Sequence, residues 1–143
     1  WHLESLLRFV DAWPALPVIV DHAAKPQLAL GWSAPWADEW RRGMRELARR
    51  PQVWCKVSGL LTEAASPARA GGDAGVAAIE PVWHRVLELF GPQRLVWGSD
   101  WPVLELAADY ERWVRLSDRL FAELNEAERR AVWHDNAARF YGL

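Results

Sequence analysis

The sequence predicts an α/β protein built on a parallel sheet. Two observations predict it. Helical apolar stripes alternate with short β-branched runs in the order helix, strand, helix, strand, helix, strand, helices, and strands joined through helices pair in parallel by crossovers. Each apolar run also ends in polar residues: His22 after the first, Lys56 and Ser58 closing the second, Asp100 after the third. In a parallel sheet the carboxyl ends of the strands share one edge, where α/β proteins bind ligands.

The elements follow in order. From Trp1 to Trp13, Leu3, Leu6, Leu7 and Val10 recur at helical spacing, with Glu4, Arg8 and Asp11 largely off the stripe. Pro14 and Pro17 end that helix and lead into Val18, Ile19 and Val20, a strand buried on both faces. Alternation puts Val18, Val20 and His22 on one face. Residues 23–35, with Lys25, Pro26, Gly31 and Trp32, read as a loop. Trp36 to Arg50 is a helix with Trp36, Trp40, Met44, Leu47 and Ala48 on its apolar face, and Arg49 and Arg50 suit its negative end.

In residues 52–60, Val53, Cys55 and Val57 alternate with Trp54, Lys56 and Ser58, and Gly59 stands at the exit. A lysine inside an apolar strand is paired, reaches a polar site, or snorkels to solvent. Residues 61–75 are rich in Ala, Ser, Pro and Gly and hold Glu63, Arg69 and Asp73. They read as a long loop, either a lid or plain surface irregularity. Val76 to Phe90 is a helix burying Ile79, Trp83, Val86, Leu87 and Phe90, closed by Gly91 and Pro92.

The run Leu95-Val96-Trp97 then breaks into Gly98-Ser99-Asp100 and stops at Pro102. Asp100 points with Val96 and Gly98, and Trp101 walls it. A carboxylate here is either a catalytic acid or base, or a cap for the following turn. Beyond Pro102 the chain is helical, with Tyr110, Trp113, Val114 and Phe121 as its stripe. Asn125 and Glu128 form a variant capping box with Leu124 as staple, and Asn136 caps a last turn that tucks Phe140 and Tyr141 inward.

Composition bounds the function. A chain of 143 residues suffices for one domain, and a net charge of −2 gives no footing for nucleic acid or an anionic membrane. No apolar stretch is long enough to span a bilayer. The single cysteine, Cys55, forms no internal disulfide, which fits a reducing, cytoplasmic setting. There is no internal repeat, Gly-rich phosphate loop, CxxC pair or HExxH. The chain opens at Trp1 inside a helical pattern, so its beginning is expected upstream.

Four segments carry a resemblance: 18–26 (Val-Ile-Val-Asp-His-Ala-Ala-Lys-Pro), 55–60 (Cys-Lys-Val-Ser-Gly-Leu), 94–103 (Arg-Leu-Val-Trp-Gly-Ser-Asp-Trp-Pro-Val) and 136–143 (Asn-Ala-Ala-Arg-Phe-Tyr-Gly-Leu). In this order they resemble motifs of the amidohydrolase-related family, in its sugar-lactone and dicarboxylate-lactone hydrolase branch. The resemblance implies a distorted (β/α)8 TIM barrel, with residues 1–143 as a single partial domain supplying the last three βα units. It implies Asp100 as the general base on water and His22 as the residue that binds or polarises the substrate carbonyl. Lys56, Ser58, Lys25 and Trp101 are then expected to line the substrate pocket. The family's amino-terminal His-x-His pair is absent from this chain. The branch implies chemistry without a required cofactor, and a divalent metal such as zinc stays open as an alternative.

The expected activity is opening of a cyclic ester by activated water, with a small-molecule lactone as partner and homo-oligomerisation left open. Two alternatives remain: a metal-dependent decarboxylase or amidase of the same superfamily, and a non-catalytic sugar-binding or remnant fragment. Eleven tryptophans suggest sugar stacking, but Trp36, Trp40, Trp83 and Trp113 fall on helical core faces, leaving mainly Trp32 and Trp101 near the site.

Overall fold

The computed structural model describes residues 2–66 and 72–143. Trp1, expected to open the first helix, and Arg69 of the expected loop lie outside the described residues. Three parallel strands, β1 (Val18–Val20), β2 (Val53–Val57) and β3 (Leu95–Trp97), form one sheet in the order β1-β2-β3. Val20 pairs with Cys55, and Cys55 pairs with Leu95, so all three carboxyl ends emerge on one edge as expected.

Between the strands run the helices that cover one face of the sheet. Helix α1 (His2–Ala12) precedes β1, α2 (Trp36–Ala48) joins β1 to β2, and α3 (Leu60–Glu63) with α4 (Gly72–Phe90) joins β2 to β3. Helices α5 (Tyr110–Leu120), α6 (Glu126–Arg130) and α7 (Asn136–Tyr141) complete the chain, with a π-helical turn at Ala131–Asp135 between the last two. Val20, Val53, Cys55, Val57 and Leu95 lie buried with Trp40, Met44, Leu47, Val82, Trp83 and Val86 in one apolar core. Burial pushes the Cys55 thiol strongly up, so it stays protonated and unreactive. Ile19, Trp54, Lys56 and Ser58 alternate onto the opposite face.

Several expectations need correction. Residues 60–63 form a short helix instead of loop, and α4 starts at Gly72, four residues before the expected Val76. The buried stripe of α5 is Trp113, Leu116, Ser117 and Leu120, whereas Tyr110 is exposed. The capping box at Asn125 and Glu128 is present with both reciprocal bonds. Asn136 is not a cap. It is buried, and its amide donates to the carbonyls of Pro92 and Leu95, both at 2.7 Å. Phe140 packs on Trp54 with ring centroids 5.4 Å apart, while Tyr141 is half exposed.

Arg94 is a comparable internal clamp. Its guanidinium donates to the carbonyls of Ala48, Arg50, Val53 and Leu89, tying the ends of α2 and α4 to the start of β2. Partial burial lowers its pKa from the ordinary arginine value.

Asn136 and its two carbonyl acceptors set a test of this packing. Asn136→Ala leaves both without their donor, at a cost of about 1–3 kcal/mol. The variant should melt several degrees below the parent in a calorimetric scan. An unchanged melting temperature would show that the two bonds do not anchor the carboxyl-terminal helix.

Candidate functional site

The site forms where the three strands end. After Val20 the chain leaves extended geometry at once. His22, Ala23, Ala24 and Lys25 all have positive φ, at 51°, 45°, 60° and 51°. The left-handed region is unfavourable for residues with a Cβ, so this turn has to be held from outside. Trp40 in α2 donates its indole N–H to the Ala23 carbonyl at 2.8 Å, and the Lys25 amide donates to the His22 carbonyl at 2.8 Å. The Lys25 ammonium pairs with Glu63 of α3 at 2.8 Å.

The left-handed turn corrects the reading of His22. Alternation places it with Val18 and Val20. The strand stops at Val20, however, and the turn swings the imidazole to the other side, over the end of β2. There His22 Nδ1 lies 2.8 Å from the Ser58 hydroxyl, and Ser58 itself is buried. Nε2 lies 3.5 Å from Asp100 Oδ1. That is long for a direct hydrogen bond, and one oxygen of a water or substrate fits within reach of both atoms. The two side chains are 25% and 12% exposed, so a small molecule can reach them.

Asp100 reaches this point from β3. Its φ is 61°, a conformation short polar side chains tolerate. Trp113 of α5 donates to the Gly98 carbonyl at 2.9 Å and fixes the strand exit. Pro102, not Asp100, occupies the cap position of the turn Val103–Leu106, while the Asp100 carbonyl accepts from the Leu104 amide at 2.9 Å. Gly59 has a φ of 62° and lies against both reactive groups. A Cβ there would stand 2.7 Å from His22 Nδ1 and 3.2 Å from Asp100 Oδ2.

The remaining expected pocket residues divide. Lys56 is half-buried and its ammonium bonds Asp21 Oδ1 at 2.8 Å. Trp101 stands exposed beside Asp100, its indole N–H donating to Glu105 at 3.0 Å. Lys25 is paired to Glu63, as described. Trp32 packs into a cluster with Trp36 and Trp40 on α2, so it belongs to the helical layer. Sequence reasoning missed the roles of Asp21, Gly59 and Glu63. Asp21 beside His22 and the lone lysine of β2 were the available signal, but only the strand register brings the two together.

His22 and Asp100 are two of the donors a metal takes. Among the described residues no group of three His, Cys, Asp or Glu gathers. A zinc ion normally takes at least three protein ligands, so the described residues do not by themselves make a zinc site.

A parallel sheet covered by helices thus gathers Asp100, His22 and Ser58 at its carboxyl edge. The amidohydrolase family model matches residues 1–143, and the chain belongs to that family. It is 45% identical to an L-fucono-1,5-lactonase from Burkholderia multivorans, over 99% of this chain and 48% of that one. It is 40% identical to an L-fucono-1,5-lactonase from Burkholderia ambifaria, over 99% of this chain and 47% of that one. The crystal structure of an amidohydrolase from Burkholderia multivorans with bound zinc superposes with a TM-score of 0.89 at 42% identity, over 99% of this chain and 49% of that one. The sheet and helices are thus those of an amidohydrolase TIM barrel, and the chain spans about half the length of these relatives.

The contact between Gly59 and His22 is testable directly. Gly59→Ala should push the imidazole off Ser58, visible in a crystal structure of the variant as a lengthened Nδ1–Oγ separation. An unmoved ring would mean that Gly59 does not set its position.

Proposed function

We propose that this chain forms the carboxyl-terminal part of a lactone-opening hydrolase, its last three βα units, and that Asp100 is the general base. One observation carries the reading: a carboxylate and an imidazole from different strands lie 3.5 Å apart at the carboxyl edge, and the imidazole is oriented by a buried serine. The fuconolactonase relatives support a sugar lactone as substrate.

In this mechanism Asp100 takes a proton from water as the water oxygen attacks the ring carbonyl. His22, held through Nδ1 by Ser58, presents Nε2 to the developing oxyanion. The tetrahedral intermediate collapses, the ring C–O bond breaks, and Asp100 returns its proton to the departing alkoxide. The product is the open hydroxy acid. Trp101, exposed beside Asp100, serves as a substrate contact, whereas Lys25 with its charge matched by Glu63 holds the turn, and the face carrying Trp54, Lys56 and Ser58 becomes one wall of the barrel interior. The rest of the barrel supplies the groups that complete the pocket.

Among the described residues no helix is long and apolar enough to cross a membrane. The reading has a cytoplasmic enzyme working on a soluble small molecule.

Asp100→Asn preserves shape and removes the base. In the complete protein containing this chain, it should lower kcat for sugar-lactone hydrolysis by about 10²–10⁴-fold, the usual worth of general-base catalysis, with an unchanged melt. Wild-type turnover in the variant would refute the assignment. The same assay with chelator separates the alternatives: retained activity supports water activation by Asp100 alone, and abolished activity favours a metal completed by the other half.

A further inference from the structure

Lys56 remains to be explained. It is half-buried on the face of β2 that carries Ser58. Its aliphatic stem lies along β3 where Gly98 leaves room, since a Cβ on Gly98 would stand 3.3 Å from Lys56 Cδ. Its ammonium bonds Asp21 at 2.8 Å and sits 5.8 Å from the ring centroid of Tyr141 in α7. Burial alone pushes the lysine pKa down. The hydrogen bonds to Asp21 and Tyr141 outweigh burial and raise it, so the ammonium is charged across the neutral range.

The pairing partner is informative. Asp21 is the last residue before the left-handed run, and His22 is the first residue within it. The register sets Asp21 across from Lys56, one step beyond the Val20–Cys55 pair. With its charge matched by Asp21, Lys56 offers no unpaired cation for a substrate carboxylate.

We propose that Lys56 is a positioning residue: by clamping Asp21 to β2 it fixes where the left-handed turn begins and so aims His22 at Asp100, and through Tyr141 it joins the carboxyl-terminal helix to that same point. The catalytic consequence rests on the lactonase reading, whereas the geometric consequence does not. Outer-layer groups that orient catalytic side chains are typically worth about 10–100-fold when removed, and that range is the expected loss.

Two measurements test it. In the first, ¹H–¹⁵N correlation spectra of the imidazole nitrogens of the complete protein containing this chain are recorded, with His22 assigned by its loss in His22→Gln. Lys56→Met and the milder Asp21→Asn should both shift the His22 ring resonances, and Lys56→Arg, which keeps the charge, should largely restore them. In the second, kcat and KM for a sugar lactone are measured on the complete protein. Lys56→Met and Asp21→Asn should lower kcat about 10–100-fold with KM little changed, and Lys56→Arg should recover most of it. Unmoved His22 resonances in both variants would overturn the proposal. A raised KM with parental kcat would overturn it too, by making Lys56 a direct substrate contact. A parent that opens no lactone would defeat the lactonase reading alone, because the ring spectra still decide the positioning role.

Discussion

The left-handed turn at His22–Lys25 is the constraint on which the site depends. Four consecutive residues with a Cβ adopt positive φ there, and a left-handed helical conformation costs roughly 1–2 kcal/mol per residue. Such a segment persists only if its surroundings over-determine it. Trp40 holds the Ala23 carbonyl, Ser58 holds the His22 imidazole, Glu63 holds Lys25, and Lys56 holds Asp21 at its entrance. If the turn relaxed to an extended strand, His22 would follow Val20 toward the helices and no longer meet Asp100.

The tryptophans make sense in the same terms. Trp40 and Trp113 are core residues whose indole N–H groups reach back to carbonyls at the exits of β1 and β3. Trp97 donates to the buried Ser117, and Trp83 donates to Glu123. A buried indole needs a partner for its polar end, and here two of those partners are the backbone segments that carry His22 and Asp100. The helical layer therefore both buries the sheet and sets the geometry of its edge. Trp13 and Trp101 are exposed instead, and the buried indole N–H of Trp32 has no hydrogen-bond partner among the described residues.

Alternation along β2 reaches Ser58 because that strand runs to Val57, one residue before it, whereas Asp100 lies three residues beyond β3 with a φ of 61°, so its approach to His22 is a tertiary fact. Alternation misplaced His22 because the strand ends two residues earlier, and nothing local marks Ala23 and Ala24 as left-handed. Lys56 was legible as an anomaly, but its partner was not, since the register that sets Asp21 across from it is a tertiary fact. Asn136 has the residue type and spacing of a cap, and only the approach of Pro92 and Leu95 turns it into a buried clamp. The helix at Leu60–Glu63 was hidden by the Ala, Ser, Pro and Gly composition that follows it.

The central claim is that His22 and Asp100 flank one reacting carbonyl. A crystal structure of the complete protein with a bound sugar hydroxy acid, the ring-opened product, tests this most directly. The account places one oxygen of the product carboxylate within hydrogen-bonding distance of His22 Nε2 and the hydroxyl released by ring opening within donating distance of Asp100, with the imidazole still bonded to Ser58. A product bound elsewhere, with the His22–Asp100 gap filled only by solvent, would contradict it.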